Sequence, residues 1–502
     1  MKSLWNLKES GVQVFGLRCF SLLLALLALG CAAHQPITYD SVKREFAPPG
    51  GRAGGGEIRT SQTQIVEGPA RDWSQPLSLP EAVRLALVHN PEQEMAWQRV
   101  RQAEAMLDQS LAAFLPMISL YTEYARGDVP SGYLFKTIDQ RLLPPNTNFN
   151  DPGTFQNWES GARVRWNLFR GGQDYLRRRM AAEGLEMGRL DRATLNNTLT
   201  ASVIKGYYNC LAAADMVAIS RQAVQSVEAQ LRQTQVRYEG GGALKSDVLS
   251  LMVRLAQARE DLVRSENGQR LALAALANLL GADPDTPLIL VGEEKAEPRV
   301  PREYTQGVLE AMSRRPELAK VRHQVVSARL ALAAARAEYL PRVDAQGSVF
   351  WDDPLAQYSS ERTNWSAGAV ASWDVFTGLS TLRETDKARA ALLEVLAADR
   401  QAALGVQLDV KGAYLNLAEA LARLEVSRAS VDQAGESLKL VSEQYQGGAA
   451  DVTRYLDTEL NLSSARARQA AARHDARKAR ADVARALGMF CDPERLEWAG
   501  HE

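Results

Sequence analysis

With 502 residues and 59 basic against 60 acidic side chains, the chain is long enough for several domains but has no electrostatic footprint for nucleic acid. No proline occurs between Pro152 and Pro284 or between Pro354 and Pro493, so two long uninterrupted blocks replace the punctuation of a multidomain enzyme. Ala, Leu, Arg, Glu and Gln crowd those blocks, a composition that favours long helices.

Lys2, Lys8 and Arg18 accompany the apolar run CFSLLLALLALG, which is too short for a comfortable membrane span and reads as a secretory signal over residues 1–30. The run ends at ALGCAAH, which resembles a bacterial lipobox and makes Cys31 the expected lipidation site. Ala28 and Leu29 depart from the commoner pattern, and simple cleavage near Gly30 or Ala33 is the alternative. Residues 31–76, including PPGGRAGGG, have linker composition and read as a lipidated tether. Cys19, Cys31, Cys210 and Cys491 form no disulfide framework.

Beyond the tether the chain repeats itself. AVRLALVHNPE, ending at Glu92, matches GVLEAMSRRPE, ending at Glu317, and AAFLP at Pro116 matches AEYLP at Pro341, both at an offset of 225. RWNLFRGG around Trp166 matches SWDVFTGL around Trp373 at an offset of 207, which also relates Gly241 to Gly448 and Gly281 to Gly488. A tandem duplication accounts for these offsets, with the first copy enlarged by 18 residues between Pro116 and Trp158. The repeats span 77–281 and 282–489, and 490–502 form a tail.

Each copy has one internal order. A short helix and a second one, in the first copy about 81–90 and 92–115, lead to a proline that begins extended chain. Ile118, Leu120, Thr122 and Tyr124 then alternate with polar neighbours, as do Ala162, Val164, Trp166 and Leu168 after the loop. Period-two patterning predicts strands at about 117–125 and 159–169, and in the second copy at about 342–350 and 366–376. Strands of about ten residues suit a bilayer crossing. Long helices follow over 173–238 and 380–445, each about 100 Å at about 1.5 Å per residue. Val224, Val227, Leu231, Thr234 and Tyr238 step by three and four, a coiled-coil seam repeated from Val431 to Tyr445.

Glycine turns end both long helices, at 239–246 and 446–451. Gly240, Gly241 and Gly242, and Gly447 and Gly448, can take the left-handed conformation that stops a helix, while Ser246 and Asp451 suit the N-caps of the return helices. Four strands cannot close a barrel, and open edges facing lipid would leave backbone groups unsatisfied, so the chain is expected to oligomerise. A soluble four-stranded sheet on a helical bundle is the plainer alternative.

The order of elements, the duplication, and the motifs LVHNPE, FLP, WNLFRGG, RYEGGGALKSDVL, LANLLGADP and RALG resemble the TolC-like outer-membrane efflux and secretion channels over about 77–489. The implied fold is mainly α with a membrane β-barrel: duplicated coiled-coil hairpins and four transmembrane strands per protomer, twelve in a homotrimer. The resemblance implies a passive channel-tunnel of a tripartite efflux or type I secretion system in the Gram-negative outer membrane, its helices in the periplasm. Its implied partners are outer-membrane lipid, a periplasmic adaptor and an inner-membrane pump or ABC exporter. It also places the glycine turns at the periplasmic tips, where the adaptor docks, with Lys245 and Asp451 beside the glycines. Asp247 and Asp457 fall on motif positions that line the closed entrance in relatives. Arg454 departs from that pattern and suggests a salt bridge to Asp247, with Tyr445 completing the closed tip.

His34, His89, His323, His474 and His501 form no metal-ligand pattern, and the chain carries no P-loop or nucleophile elbow. No enzyme activity and no cofactor are expected. The competing reading is a periplasmic adaptor or coiled-coil scaffold lipoprotein, which should show one hairpin rather than two hairpins and two strand pairs.

Overall fold

The computed structural model describes residues 75–292 and 297–492, together with Val42, Trp73, Trp498 and Ala499. Residues 1–30, Cys31 and nearly all of the 31–76 tether lie outside the described residues. The chain divides into two compact units that cut across the repeats: one holds Leu111–Asp174 and Ala337–Thr377, the other Ala70–Ser110, Tyr175–Arg336 and Gly378–Glu502.

The helical unit contains α1 (Leu79–His89) and α2 (Pro91–Gln109), with Ser78 and Asn90 as side-chain N-caps and a proline in each first turn. Between them Asn90 also donates through Nδ2 to the Leu279 carbonyl at 3.0 Å. The long helices are α4 (Gln173–Glu239) and α8 (Ser380–Gln446), each of 67 residues. Their return partners are α5 (Lys245–Leu279) and α9 (Val452–Ala486), each of 35 residues. α6 (Tyr304–Arg314) and α7 (Pro316–Ala337) are the second copies of α1 and α2. Leu79, Ile204, Tyr207, Leu276 and Phe490 fill one core, so the tail begins inside the fold. Further on, the two-residue strands β3 (Glu297–Pro298) and β6 (Trp498–Ala499) pair antiparallel. Among the described residues no helix is long and apolar enough to cross a membrane.

In the other unit, β1 (Met117–Gly127), β2 (Phe155–Arg170), β4 (Arg342–Asp353) and β5 (Thr363–Ser372) form one antiparallel sheet in the order β1-β2-β4-β5. Register puts Ile118 opposite Val164, Leu120 opposite Ala162, Ala162 opposite Val349, and Val349 opposite Trp365. One face therefore carries an apolar band across all four strands, crossed by the row of Thr122, Ser160 and Thr363, and its apolar side chains are bare: Leu120 is 79% exposed and Trp365 76%. The other face carries Glu123, Glu159, Arg163, Arg165, Gln346 and Asp352.

Aromatic side chains mark both ends of the apolar face. Tyr124 and Trp158 lie with ring centroids 4.8 Å apart at one end. At the other, the Trp166 indole N–H donates to the Phe114 carbonyl at 3.0 Å, and its repeat counterpart Trp373 donates to Tyr339 at 2.9 Å. Trp158 and Trp166 share a face of β2 eight residues apart, about 26 Å along a strand at about 3.3 Å per residue. At the roughly 40° tilt of outer-membrane strands this is a rise of about 20 Å, somewhat less than the roughly 25 Å band between the aromatic girdles of such barrels.

One sequence expectation needs correction here. The last strand ends at Ser372, not near Phe376, because its partner β4 begins at Arg342, the residue paired with Ser372, and offers no ladder beyond it. The enlarged loop after β1 contains a helix, α3 (Pro130–Asp139).

Candidate functional site

The two hairpin turns superpose in their hydrogen bonding. Gly241 and Gly448 have φ of +77° and +78°, the left-handed conformation that closes a helix. The N–H of Gly242 donates to the Arg237 carbonyl at 2.7 Å, and that of Ala449 to Gln444 at 2.7 Å. Gly240, Gly242 and Gly447 lie outside the positive-φ region, so one glycine per turn carries the conformational demand. The return helices start differently. Asp451 caps α9 by accepting from the Arg454 N–H at 2.8 Å. Ser246 does not cap α5: the helix begins at Lys245 after Leu244, and the Ser246 hydroxyl points to Asp247 at 3.4 Å.

Beneath the turns, Val227, Leu251, Val441, Val452 and Tyr455 pack as one cluster joining both hairpins. Tyr445 is buried in it, stacked on Tyr455 with centroids 5.7 Å apart. Its hydroxyl lies 3.3 Å from the Thr234 hydroxyl, and Arg237 reaches its carbonyl at 3.4 Å. Burial first, then Glu459 and Tyr445, raise the pKa of the Tyr455 phenol. The counterpart of Tyr445 in the first repeat, Tyr238, is exposed. Near-equal turns thus rest on unequal supports.

Asp247 and Arg454 occupy equivalent repeat positions, 207 residues apart, with opposite charges. Within one chain they form no ion pair with each other among the described residues, and Arg454 and Asp457 are exposed while Asp247 is half-buried. The salt bridge expected from Arg454 to Asp247 is thus not made within a single chain among the described residues. Nearer the turns than the Lys205–Asp482 and Arg473–Asp215 pairs, Arg254 and Glu459 form an ion pair between the hairpins at 3.1 Å, with side chains 12% and 4% exposed. Sequence reasoning missed it. Its signal is that the repeat counterparts of Arg254 and Glu459 are the uncharged Asn461 and Met252.

A second polar centre lies on the sheet unit. Lys136 of α3 donates to Asp352 at 3.1 Å and to Glu159 at 2.5 Å, and Asp352 is wholly buried. Burial alone would lower the Lys136 pKa, but its bonds to Glu159 and Asp352 raise it above the usual lysine value. Gln140 donates to Asn157 at 2.8 Å, and Asn364 of β5 reaches the Asp139 carbonyl at 3.2 Å. The helix is thereby fastened across β2, β4 and β5 on the polar face.

Burial pushes the thiols of Cys210 and Cys491 up to about 12, which leaves both unreactive at neutral pH. Among the described residues no cluster of His, Cys, Asp and Glu could hold a metal ion.

A model of the outer membrane efflux protein family matches residues 82–282 and 308–489, well over half of the chain. The chain belongs to this family. Protein CyaE of Bordetella pertussis is 27% identical over 407 residues, covering 80% of this chain and 81% of that protein. The pyoverdine export outer membrane protein OpmQ of Pseudomonas aeruginosa is 26% identical over 449 residues, covering 89% and 91%. Among solved structures, a membrane protein from Pseudomonas aeruginosa aligns with a TM-score of 0.71 at 20% identity, covering 82% of this chain and 93% of that one. CusC aligns at 0.70 and 15%, covering 86% and 98%. The TolC-like fold and the family resemblance drawn from the repeated motifs both hold. The molecule is an outer-membrane channel of an efflux or secretion system.

Proposed function

We propose that three copies close one passive channel, the four-stranded sheets joining into a twelve-stranded outer-membrane barrel and the hairpins forming its periplasmic tunnel. The observation carrying this reading is the sheet itself: an apolar face is bare, the opposite face is polar, and β1 and β5 have unpaired edges. The four strands alternate in direction. β5 of one copy can therefore pair antiparallel with β1 of the next around a ring. Heat-modifiable migration of the outer-membrane fraction tests it. A trimer band that collapses to monomer on boiling supports the reading; recovery only as a periplasmic monomer, expected of an adaptor, defeats it.

The tips then form the entrance, with Gly240, Gly241, Gly242, Lys245, Gly447, Gly448 and Asp451 at the docking surface for a periplasmic adaptor that brings an inner-membrane pump or ABC exporter. Asp247, Arg454, Asp457 and Tyr445 form the constriction. Since Asp247 and Arg454 are repeat equivalents, threefold assembly alternates their charges around the entrance, and links between neighbouring copies replace the missing intrachain pair. Alanine at Asp247 and Arg454 should raise single-channel conductance in planar bilayers; unchanged conductance removes these residues from the gate. For capturing the adaptor, Lys245→Cys is the preferred crosslinking position, because Gly241 and Gly448 do not tolerate a side chain at positive φ. The mature N-terminus is anchored through lipidated Cys31, and metabolic labelling with palmitate that survives in Cys31→Ser would refute the anchor.

A further inference from the structure

The polar face of the sheet is layered in charge. Glu123, Glu159 and Asp352 form one cross-strand row, met by Lys136. Farther along β2, the Arg163 row holds Ser119, Ser348 and Ser366, and the Arg165 row holds Met117, Gln346 and Gly368. Neither row contains a carboxylate. Both arginines are exposed, and among the described residues neither makes an ion pair. The Arg163 guanidinium lies 4.7 Å from the centroid of the Tyr121 ring, whose hydroxyl donates to Glu159 at 2.8 Å, so the cation stands near the acidic row without forming an ion pair with it.

We infer that Arg163 and Arg165 form an anion-favouring belt inside the barrel and bias this channel toward solutes bearing carboxylate, phosphate or sulfonate groups. The inference rests on the threefold barrel proposed above, in which the polar face lines the lumen and three copies gather two adjacent rings of guanidinium groups. Rings of Arg or Lys favour anions in pores. Residues two apart on a strand are about 6.6 Å from each other. That is within the Debye length of about 10 Å at 0.1 M salt, so the rings act together there. At 1 M the screening length falls to about 3 Å and the bias collapses.

The test is the reversal potential of purified trimers in planar bilayers under a KCl gradient centred near 0.1 M, for the parent and for Arg163→Gln/Arg165→Gln. The chloride-to-potassium permeability ratio should fall at least about twofold in the double variant, return with lysine at both positions, and differ little between variants at 1 M. An unchanged ratio at 0.1 M, in channels that still give conductance steps, overturns the belt. So does a change that persists undiminished at 1 M, which would reflect pore size. Parent protein that gives no conductance steps overturns the barrel reading and the belt with it. If the double variant fails to trimerise, Arg165→Gln alone, between Met117 and Gln346, reads the same ratio against the same outcomes.

Discussion

Asn90 and Arg315 stand at equivalent joints of the two repeats and perform one task with different chemistry. Asn90 donates to the Leu279 carbonyl at 3.0 Å, and Arg315 donates to the Ala486 carbonyl at 3.0 Å. Those carbonyls are themselves repeat equivalents, 207 residues apart, at the last residues of α5 and α9. Each joint thus satisfies an orphan carbonyl at a helix C-terminus.

The arginine version carries more. Arg315 also binds Asp409 at 2.7 Å and Glu317 at 3.0 Å, and Arg485 binds Asp409 from the other side at 2.8 Å. Arg315→Ala should cost about 3 kcal/mol, against about 1 kcal/mol for Asn90→Ala. Burial alone would raise the Asp409 pKa, but hydrogen bonds from Arg485 and Arg315 outweigh it and lower it below the usual 3.8. A lowered folded pKa stabilises fully above 3.8 and is lost as pH falls through the folded value, so the Arg315→Ala deficit should shrink in acid. Thermal unfolding followed by circular dichroism at neutral and acidic pH measures both.

Glu459 is nearly buried against Arg254 and also accepts from Ser463 at 3.0 Å. Removing one member of a buried pair leaves the other charge stranded, so Glu459→Met should cost about 3–5 kcal/mol. Replacing both residues by methionine should cost distinctly less. A double-mutant cycle on denaturation midpoints separates the two cases.

Gly241→Ala and Gly448→Ala should each cost about 1–2 kcal/mol, because alanine is strained at positive φ. Gly240→Ala should be near neutral: its added Cβ meets nothing closer than 3.6 Å. Hydrogen exchange at the tips, which opens locally, is the appropriate readout.

Lys136→Met should release α3 from Glu159 and Asp352, the two carboxylates it bridges. Faster proteolysis within residues 128–154 of the assembled channel, together with larger conductance, is the expected pair of results. Unchanged protease resistance would show that Gln140 and Asn364 fasten the helix alone.

Much of this architecture was legible because repetition multiplies weak signals. The 207-residue offset located both long helices to within a residue and tied Gly241 to Gly448. What escaped depended on pairs that no periodicity encodes. Arg254 and Glu459 come from different repeats and meet only when the hairpins pack. The helix α3 lies in the insertion, where no second copy exists for comparison, and its short apolar pattern was masked by neighbouring prolines. The N-cap of α5 was misassigned because Ser246 and Lys245 are both compatible with a helical first turn, and only the backbone of Leu244 decides the boundary.

The unpaired edges of β1 and β5 have a genetic consequence. In a closed ring every copy supplies one edge to each neighbour, so a chain defective at either edge spoils the whole assembly it joins. Co-expressing equal amounts of intact chain and a chain with proline in β5 should leave only about one-eighth of trimers wholly intact. Such a variant would act as a dominant poison of export, and the steepness of that inhibition with dose would count the copies in the ring.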